Sequence, residues 1–316
     1  MHINSVKNKK ILYAALNWGL GHVTRSIGII RQLVNQENEI IIICDKHQEE
    51  IFKSYFPSVS IIEFPGYPFN FRGKNNWGLD IILSIVKLIK HIKSEKKKVE
   101  NIVKENSIDL ILSDHRYGLF SKEIFSIFIT HQLQLPLPWY YKPAQWWHKH
   151  SIKKFNFVWV LDDDNSSLAG KLSSTKNWIN TYSIGWYSRF EEKALSDEIY
   201  YLFVISGPEK YVNDFYSIFR QFNTSSKKTV IISPYKIDTS LFKPDNTKIL
   251  ITSKIVDIDE YFYKSSVIIS RYGYSTLMDL KILKKKSILF PSKGQNEQEY
   301  LSILHNIPKN NKELNS

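Results

Sequence analysis

Two glycine-bearing loops, one near each end of the chain, constrain the fold more than any other feature of the sequence. Asn17-Trp18-Gly19-Leu20-Gly21-His22 follows an apolar run and opens a run of helical spacing. Ser270-Arg271-Tyr272-Gly273-Tyr274-Ser275-Thr276 does the same in the second half, with Gln295-Asn296-Glu297-Gln298 shortly after it. A strand that turns directly into a helix leaves backbone N–H groups at a positive helix end, which suits phosphate or another anion. Two such turns predict two nucleotide-type domains facing a shared cleft, and an enzyme acting on a nucleotide-linked substrate.

The rest of the pattern agrees. Apolar runs at 10–16, 39–44, 59–64, 108–113, 124–130 and 155–161 read as strands, with helical spacing at 23–34, 47–55 and 78–106. The second half repeats this with strands at 200–206, 228–233, 248–252, 267–270 and 287–290 and helices at 208–222, 257–263, 275–283 and from about 297. Strand–helix alternation predicts an α/β protein of doubly wound parallel sheets. A chain of 316 residues exceeds what one core usually supports. The expected domains are 1–184 and 185–316, joined through 181–193, where Gly185 sits in a stretch without strong period.

Composition excludes several classes. The single cysteine, Cys44, rules out an intrachain disulfide framework and ends an apolar run, so it reads as a buried, inert thiol. The formal charge of +12 fits nucleic acid, an anionic membrane surface, or compositional drift. The basic residues are spread along the chain apart from a cluster at 87–98, and no RNA-binding or zinc-knuckle pattern accompanies them, so nucleic acid is not an expected partner. The longest apolar stretch, 79–92, is broken by Lys87 and Lys90 and falls short of the ~20 residues of a membrane span. The run 11–16 reads as a first strand, not a secretory core, so a cytoplasmic protein is expected. Peripheral contact with the inner face of the plasma membrane would come from the lysines of the 78–106 helix and the aromatic cluster Trp139-Tyr140-Tyr141 and Trp146-Trp147.

Certain side chains carry chemistry. His22 stands at a helix start behind Gly19 and Gly21, where it can take a proton from a hydroxyl nucleophile or orient an acceptor. The loop lacks the third glycine and acidic ribose ligand of a dinucleotide fingerprint. Asp114, at a strand end, can orient His22 or act as base itself. Arg25 and Arg116 can bind an acceptor phosphate or belong to a salt-bridged loop, and His131 reads as a core or loop histidine. Asp162-Asp163-Asp164 has the oxygen ligands a hard cation wants, but Asn165-Ser166-Ser167 and 168–172 follow, which reads as a loop capping a helix.

Residues 19–33 resemble the N-terminal glycine loop of family 28 glycosyltransferases, which have the GT-B fold and include the murein N-acetylglucosaminyltransferase. Residues 267–300 resemble that family's nucleotide-sugar motif: an Arg-x-Gly-x-x-Thr turn, an acidic residue, a proline and a glutamine-rich loop. Ser206-Gly207-Pro208-Glu209 stands where the family has its middle glycine loop. The whole chain is similar to family-28-like bacterial transferases that share Gly-His-x-x-Arg-Ser (21–26), Ser-Asp-x-Arg-Tyr-Gly (113–118) and Thr-His-Gln (130–132) segments.

The resemblance implies two Rossmann-like domains in a GT-B arrangement and transfer of a sugar from a nucleotide-diphosphate donor, a uridine one by preference, to an acceptor hydroxyl. It implies inversion at the anomeric carbon, with no metal and no cofactor, in envelope, polysaccharide or glycolipid synthesis, where the acceptor can be lipid-linked. On the donor side it implies Gly19, Gly21, Ser206, Gly207, Arg271 and Gly273 at backbone approaches, and Ser275 and Thr276 at the helix end facing the diphosphate. It also implies Asp279 on the ribose, the Ile255 backbone on the base edge, and Gln295, Gln298 and Glu299 at the sugar. Pro208 removes one N–H donor, and Glu299 replaces a glutamine of the murein enzyme, so the motif does not specify N-acetylglucosamine. The alternatives are a sugar-nucleotide 2-epimerase of the same fold, with Glu209 or Glu297 as its acid, and a non-catalytic basic protein binding membrane or nucleic acid.

Overall fold

Runs such as Glu-Ile-Ile-Ile-Ile-Cys have no polar face to offer water. They are stable as strands covered on both sides, which is the habit of parallel sheets. In a computed structural model of the chain, describing residues 1–68, 77–137, 142–176, 178–194, 196–207, 209, 213–222, 227–238, 246–252 and 254–305, these runs form two separate, wholly parallel sheets. Trp139, Tyr140, Tyr141 and Pro208, and the polar tail from 308, lie outside the described residues. The chain divides into two compact units, the first reaching Arg189 and the second resuming at Phe190.

The amino-terminal unit contains β1 (Lys10–Ala15), α1 (Gly21–Asn35), β2 (Glu39–Cys44), α2 (Lys46–Tyr55), β3 (Ser60–Glu63), α3 (Trp77–Glu105), β4 (Leu110–Asp114), β5 (Phe125–Thr130), α4 (Lys142–Ile152), β6 (Phe157–Val160) and β7 (Thr181–Ser183). Its sheet runs β3-β2-β1-β4-β5-β6-β7. Leu12, Ala14, Ile41, Ile43 and Ile111 on one face pack with Val99 and Val103 of α3. Cys44 is buried, and burial pushes its thiol up to about 12, as befits an inert side chain.

The carboxy-terminal unit contains β8 (Ile199–Val204), α5 (Asn213–Phe222), β9 (Thr229–Ser233), β10 (Thr247–Ile251), α6 (Asp259–Lys264), β11 (Ser265–Arg271), α7 (Tyr274–Leu283), β12 (Lys286–Phe290) and α8 (Asn296–Leu304), with sheet order β10-β9-β8-β11-β12. Both faces are covered. Tyr201, Phe203, Ile231 and Ile269 meet Phe215 and Phe219 of α5 on one side. Leu202, Val230, Ile232 and Ile268 meet Ile258, Phe262 and Leu283 on the other, the period-2 alternation of a strand.

Each sheet therefore reverses direction once, between β1 and β4 and between β8 and β11. Ligands of open α/β sheets bind beyond the carboxyl ends of the strands at this reversal. The loops after β1 and β4, and after β8 and β11, carry most of the predicted site residues; Ile255 follows β10, and Gln295, Gln298 and Glu299 follow β12.

Two expectations need correction. Residues 181–183 form the edge strand β7, not linker; three residues are too few for a period to show. Residues 168–172 do not make an α-helix; only Gly170–Leu172 form a short 3-10 turn. The part of the aromatic cluster at 146–150 lies on helix α4, in which Trp146 is 69% exposed and stacks on His150 while His148 is buried.

Candidate active site

In the amino-terminal unit the register of β1 against β4 pairs Ala15 with Asp114, so the loop after β1 and the end of β4 leave the sheet side by side. Gln48 of α2 donates to the carbonyls of Ala15 and Leu16 at 3.3 and 3.4 Å, and Asn17 accepts from the Tyr67 N–H at 2.8 Å. Gly19 has φ +88°, a conformation glycine takes without strain. The chain then enters α1 at Gly21 with no side-chain cap, whereas α2 and α8 are capped by Asp45 and Gln295. Serine and aspartate are the usual caps, and α1 starts without either.

His22, in that first turn, lies with Nδ1 3.0 Å from Asp114 Oδ1. Asp114 is fully buried and grips Arg25, also buried, through one edge of the guanidinium: Nε to Oδ2 at 2.8 Å, and Nη2 to Oδ1. Arg25 Nη2 is also 2.8 Å from His22 Nδ1, and Nη1 is 3.0 Å from His131 Nδ1. Ser26 Oγ donates to the His22 carbonyl at 2.6 Å and lies 2.7 Å from the Tyr13 hydroxyl, fixing the backbone beneath the imidazole.

The electrostatics follow from this packing. Burial alone would raise the Asp114 carboxyl, but Arg25 and His22 outweigh it and hold the group far below the ordinary carboxylate range. Burial, then Arg25, lowers the His22 imidazole, with Asp114 opposing them. At neutral pH the pair is thus an ionised carboxylate facing a neutral imidazole. His22 Nδ1 meets both Asp114, which only accepts, and Arg25 Nη2, which only donates; with the ring proton on Nδ1 it serves Asp114 and leaves the Nε2 lone pair for a substrate proton. Such an arrangement can serve as an oriented general base, with the carboxylate orienting the ring.

Of the two readings of Arg25 and Arg116, the structure shows the salt-bridged one. Both are buried and both are committed to carboxylates. Arg25 serves Asp114, and Arg116 Nε donates to Glu95 Oε1 of α3 at 2.7 Å while its Nη2 donates to the Pro65 carbonyl at 3.0 Å. Tyr67 donates to the other Glu95 oxygen at 2.7 Å and accepts from the Gly118 N–H at 3.1 Å. A Cβ at Gly118 would stand 2.5 Å from Glu95 Oε2, so glycine is required for α3 to approach. His131 is buried against Arg25, as expected of a core histidine.

The Asp162 carboxylate accepts from the backbone N–H groups of Asp163, Leu168 and Ala169, the Ser173 hydroxyl and the Trp186 indole, at 2.7 to 3.2 Å. It is a loop anchor with its lone pairs engaged. Among the described residues no group of three or more acidic, cysteine or histidine side chains is arranged to hold a metal.

In the carboxy-terminal unit Ser206 and Gly207 follow β8, and Gly207 has φ +91° with its carbonyl accepting from the Tyr235 hydroxyl at 2.9 Å. Arg271 ends β11 beside it. Buried, its guanidinium lies 4.8 Å from the Phe215 ring centre and donates to Ser292 Oγ, tying the loops after β8, β11 and β12 together. Gly273 heads α7 without a side-chain cap, and half-buried Ser275 and Thr276 occupy its first turn. Asp279 is 6% exposed on α7. Ile255 is buried, and its carbonyl accepts from the Ile258 N–H at 3.1 Å.

The glutamine-rich loop holds its own shape. Gln295 caps α8 by accepting from the Gln298 N–H at 2.7 Å, Gln298 accepts from the Ser292 N–H at 2.8 Å, and Glu299 accepts from the Gly294 N–H at 2.9 Å. Their carbonyl and carboxylate oxygens are thus turned onto the backbone, leaving the side-chain amides as the donor ends.

Sequence reasoning missed the partners. Glu95 and Tyr67 gave no local signal, Ser26 showed only as the last residue of the 21–26 motif, and no role was read for His115 or His148, which stack on one another behind His22. His22 and His115 meet with 5.6 Å between ring centres, although 115 is the unspecified position of the 113–118 motif.

Residues 192–301 match the model of the glycosyltransferase family 28 C-terminal domain. Among curated protein sequences none matches. The fold is similar to that of the glycotransferase of kitacinnamycin, with 11% identity, a TM-score of 0.63, and coverage of 94% of this chain and 83% of that one. It is similar to Arabidopsis thaliana UGT89C1 complexed with quercetin (10% identity, TM-score 0.62, 94% and 82% covered). It is also similar to Acinetobacter baumannii MurG (12% identity, TM-score 0.54, 94% and 82% covered). At such identities the likeness establishes the fold, which is GT-B: two Rossmann-like α/β domains.

Proposed function

A family 28-like glycosyltransferase of GT-B fold is the premise from which we propose that this protein moves a sugar from a nucleotide-diphosphate donor, a UDP-sugar by preference, to an acceptor hydroxyl with inversion. The observation that carries the reading is the His22–Asp114–Arg25 constellation at the reversal of the first sheet. The acceptor oxygen attacks the anomeric carbon as His22 Nε2 takes its proton. The anomeric C–O bond breaks, and the nucleoside diphosphate leaves with the bonding pair. Imidazolium formed on His22 is stabilised by Asp114, which Arg25 keeps ionised, so stabilisation grows as the transition state is approached. The leaving diphosphate gathers charge at the uncapped start of α7 and the Ser206–Gly207 loop, where N–H donors are preorganised. The reading calls on no metal or cofactor. Asp279 receives the ribose hydroxyls, and Gln298 and Glu299 read the sugar. UGT89C1 has been solved with UDP and with UDP-L-rhamnose, which favours uridine.

A membrane-borne acceptor is supported by α3, where Ile85, Val86 and Ile89 are exposed beside Lys87, Lys90 and Lys93. Among the described residues no helix is long and apolar enough to cross a membrane. Apolar side chains ringed by lysines suit the surface of an anionic bilayer. Co-sedimentation with phosphatidylglycerol vesicles should be lost in Val86→Asp; unchanged binding removes α3 from the contact.

The test of the donor site is a thermal-shift screen of UDP-, GDP- and dTDP-sugars on wild type and Asp279→Ala. A sugar nucleotide that stabilises wild type and not the variant supports the assignment. Equal stabilisation of both removes Asp279 from the site, and no stabilisation by any of them overturns the reading.

A further inference from the structure

The reading of His22 as base leaves unexplained a second group of buried side chains directly behind it. His115 follows Asp114 in a left-handed conformation, φ +61°, unusual for a residue with a side chain. Its N–H is held by the carbonyls of Ser113 and Ile129 at 3.1 and 3.2 Å, so the strained turn is pinned from two strands. Strain of this kind persists only where the surroundings impose it. The turn sets the His115 ring across the His22 ring, 5.6 Å between centres at 65°.

His115 belongs to a hydrogen-bonded chain whose direction is fixed at one end. His148 Nε2 lies 2.7 Å from the Gln132 carbonyl. A carbonyl only accepts, so Nε2 carries the proton and His148 Nδ1 is a lone pair. The Tyr117 hydroxyl, 2.8 Å from that Nδ1, must then donate to it. Its oxygen is left to accept from His115 Nε2 at 3.4 Å. His115 Nδ1 becomes the acceptor for the Thr130 hydroxyl at 3.1 Å, and Thr130 in turn accepts from the Gln132 N–H at 2.8 Å. The circuit begins and ends on one residue, Gln132. Tyr117 is wedged by Phe128 and Trp147, and the His115 and His148 rings stack at 5.9 Å.

We propose that His115 is the positioning residue of His22: locked as the Nε2–H tautomer by the Gln132–His148–Tyr117 chain, it holds the His22 ring in the plane that keeps Nδ1–H on Asp114 and Nε2 turned to the substrate. The circuit has no bond to His22 and acts through ring contact alone. Burial lowers both His115 and His148, His148 to about 4, so the circuit stays uncharged at neutral pH and does not compete with Arg25 for Asp114.

The proposal is tested by ¹⁵N NMR of the histidine ring nitrogens in the full-length protein, which needs no substrate and so stands apart from the transferase reading. His115 and His148 should both report Nε2–H and His22 Nδ1–H at pH 7.5. Tyr117→Phe keeps the shape and cuts the circuit, and His115→Asn tolerates the left-handed turn and removes the ring. Either should convert His22 to a mixture of tautomers while the Asp114-bonded Arg25 Nε–H signal persists. Should one variant not fold, the other and the wild-type tautomers still decide. With any transferred sugar, kcat should fall about tenfold and the donor KM stay within twofold. An Nδ1–H tautomer at His115 or His148 in wild type, or a His22 unchanged in the variants that fold, would overturn it.

Discussion

Replacing Asp114 by Asn separates what the Arg25 pair does for the fold from what it does for chemistry. Asp114 is fully buried and Arg25 is 2% exposed. The variant keeps the shape of the side chain but leaves the guanidinium without its counter-charge in a dry site. Removing one partner of a buried ion pair costs about 3–5 kcal/mol, and the retained amide oxygen puts this change near the lower end, about 3 kcal/mol. All eight tryptophans fall within the first 186 residues, so indole fluorescence in urea follows the amino-terminal unit. At a denaturant slope of roughly 3 kcal/mol per molar, the midpoint should drop by about 1 M. The double variant Arg25→Met with Asp114→Leu removes both charges and should recover most of that loss, because well-packed apolar pairs commonly match buried ion pairs. Transfer should remain two to four orders of magnitude down in both, since His22 has lost the carboxylate that fixes its tautomer. A midpoint for Asp114→Asn within 0.2 M of wild type would refute the buried-charge argument. Full activity in the double variant would refute the oriented base.

Other consequences are as direct. A Cβ on Gly28 of α1 would stand 2.4 Å from the Ser188 carbonyl oxygen, so Gly28→Ala should destabilise by about 1–3 kcal/mol in the same urea assay despite alanine's helix preference; a gain in stability would show that the 188 backbone yields. His148 titrates near 4 when folded against about 6.5 unfolded, so the unfolded chain takes up the proton first. Its contribution is complete above pH 7 and is lost as pH falls from about 6.5 toward 4, by up to about 3 kcal/mol; urea midpoints that stay flat from pH 7 to 5 contradict it. Asp162→Ala strips five donors of their acceptor and should cost at least about 3 kcal/mol, while Mg²⁺ or Mn²⁺ leaves the wild-type melting temperature unchanged. Metal-dependent stabilisation lost in this variant would restore Asp162 as a ligand.

The fold was legible wherever an element was long and its burial one-sided or complete. The run at 39–44 became β2 without change of bounds, and 78–106 became α3 with one residue shifted at each end. The failures have physical causes. Helix α4 was hidden because Trp146, Trp147, His148 and His150 drew attention as a cluster, and only one side of them is buried. Strand β7 was too short to declare itself. In the candidate site, His22 and Asp114 were legible because a glycine turn and a strand end each place one side chain. Arg25 and Arg116 kept two readings open because a cation in sequence shows its charge and not its partner. The deciding carboxylates lie 89 and 21 residues away, and burial, which turns an arginine from a ligand-binding group into a brace, follows from packing that no local pattern encodes.

The most direct test of the central claim is transfer from a stabilising UDP-sugar to a panel of hydroxyl acceptors, measured for wild type and His22→Ala with donor binding followed in parallel. The account predicts undiminished donor binding in the variant and a transfer rate at least a hundredfold lower. Transfer at the wild-type rate, or loss of donor binding with the histidine, would contradict it.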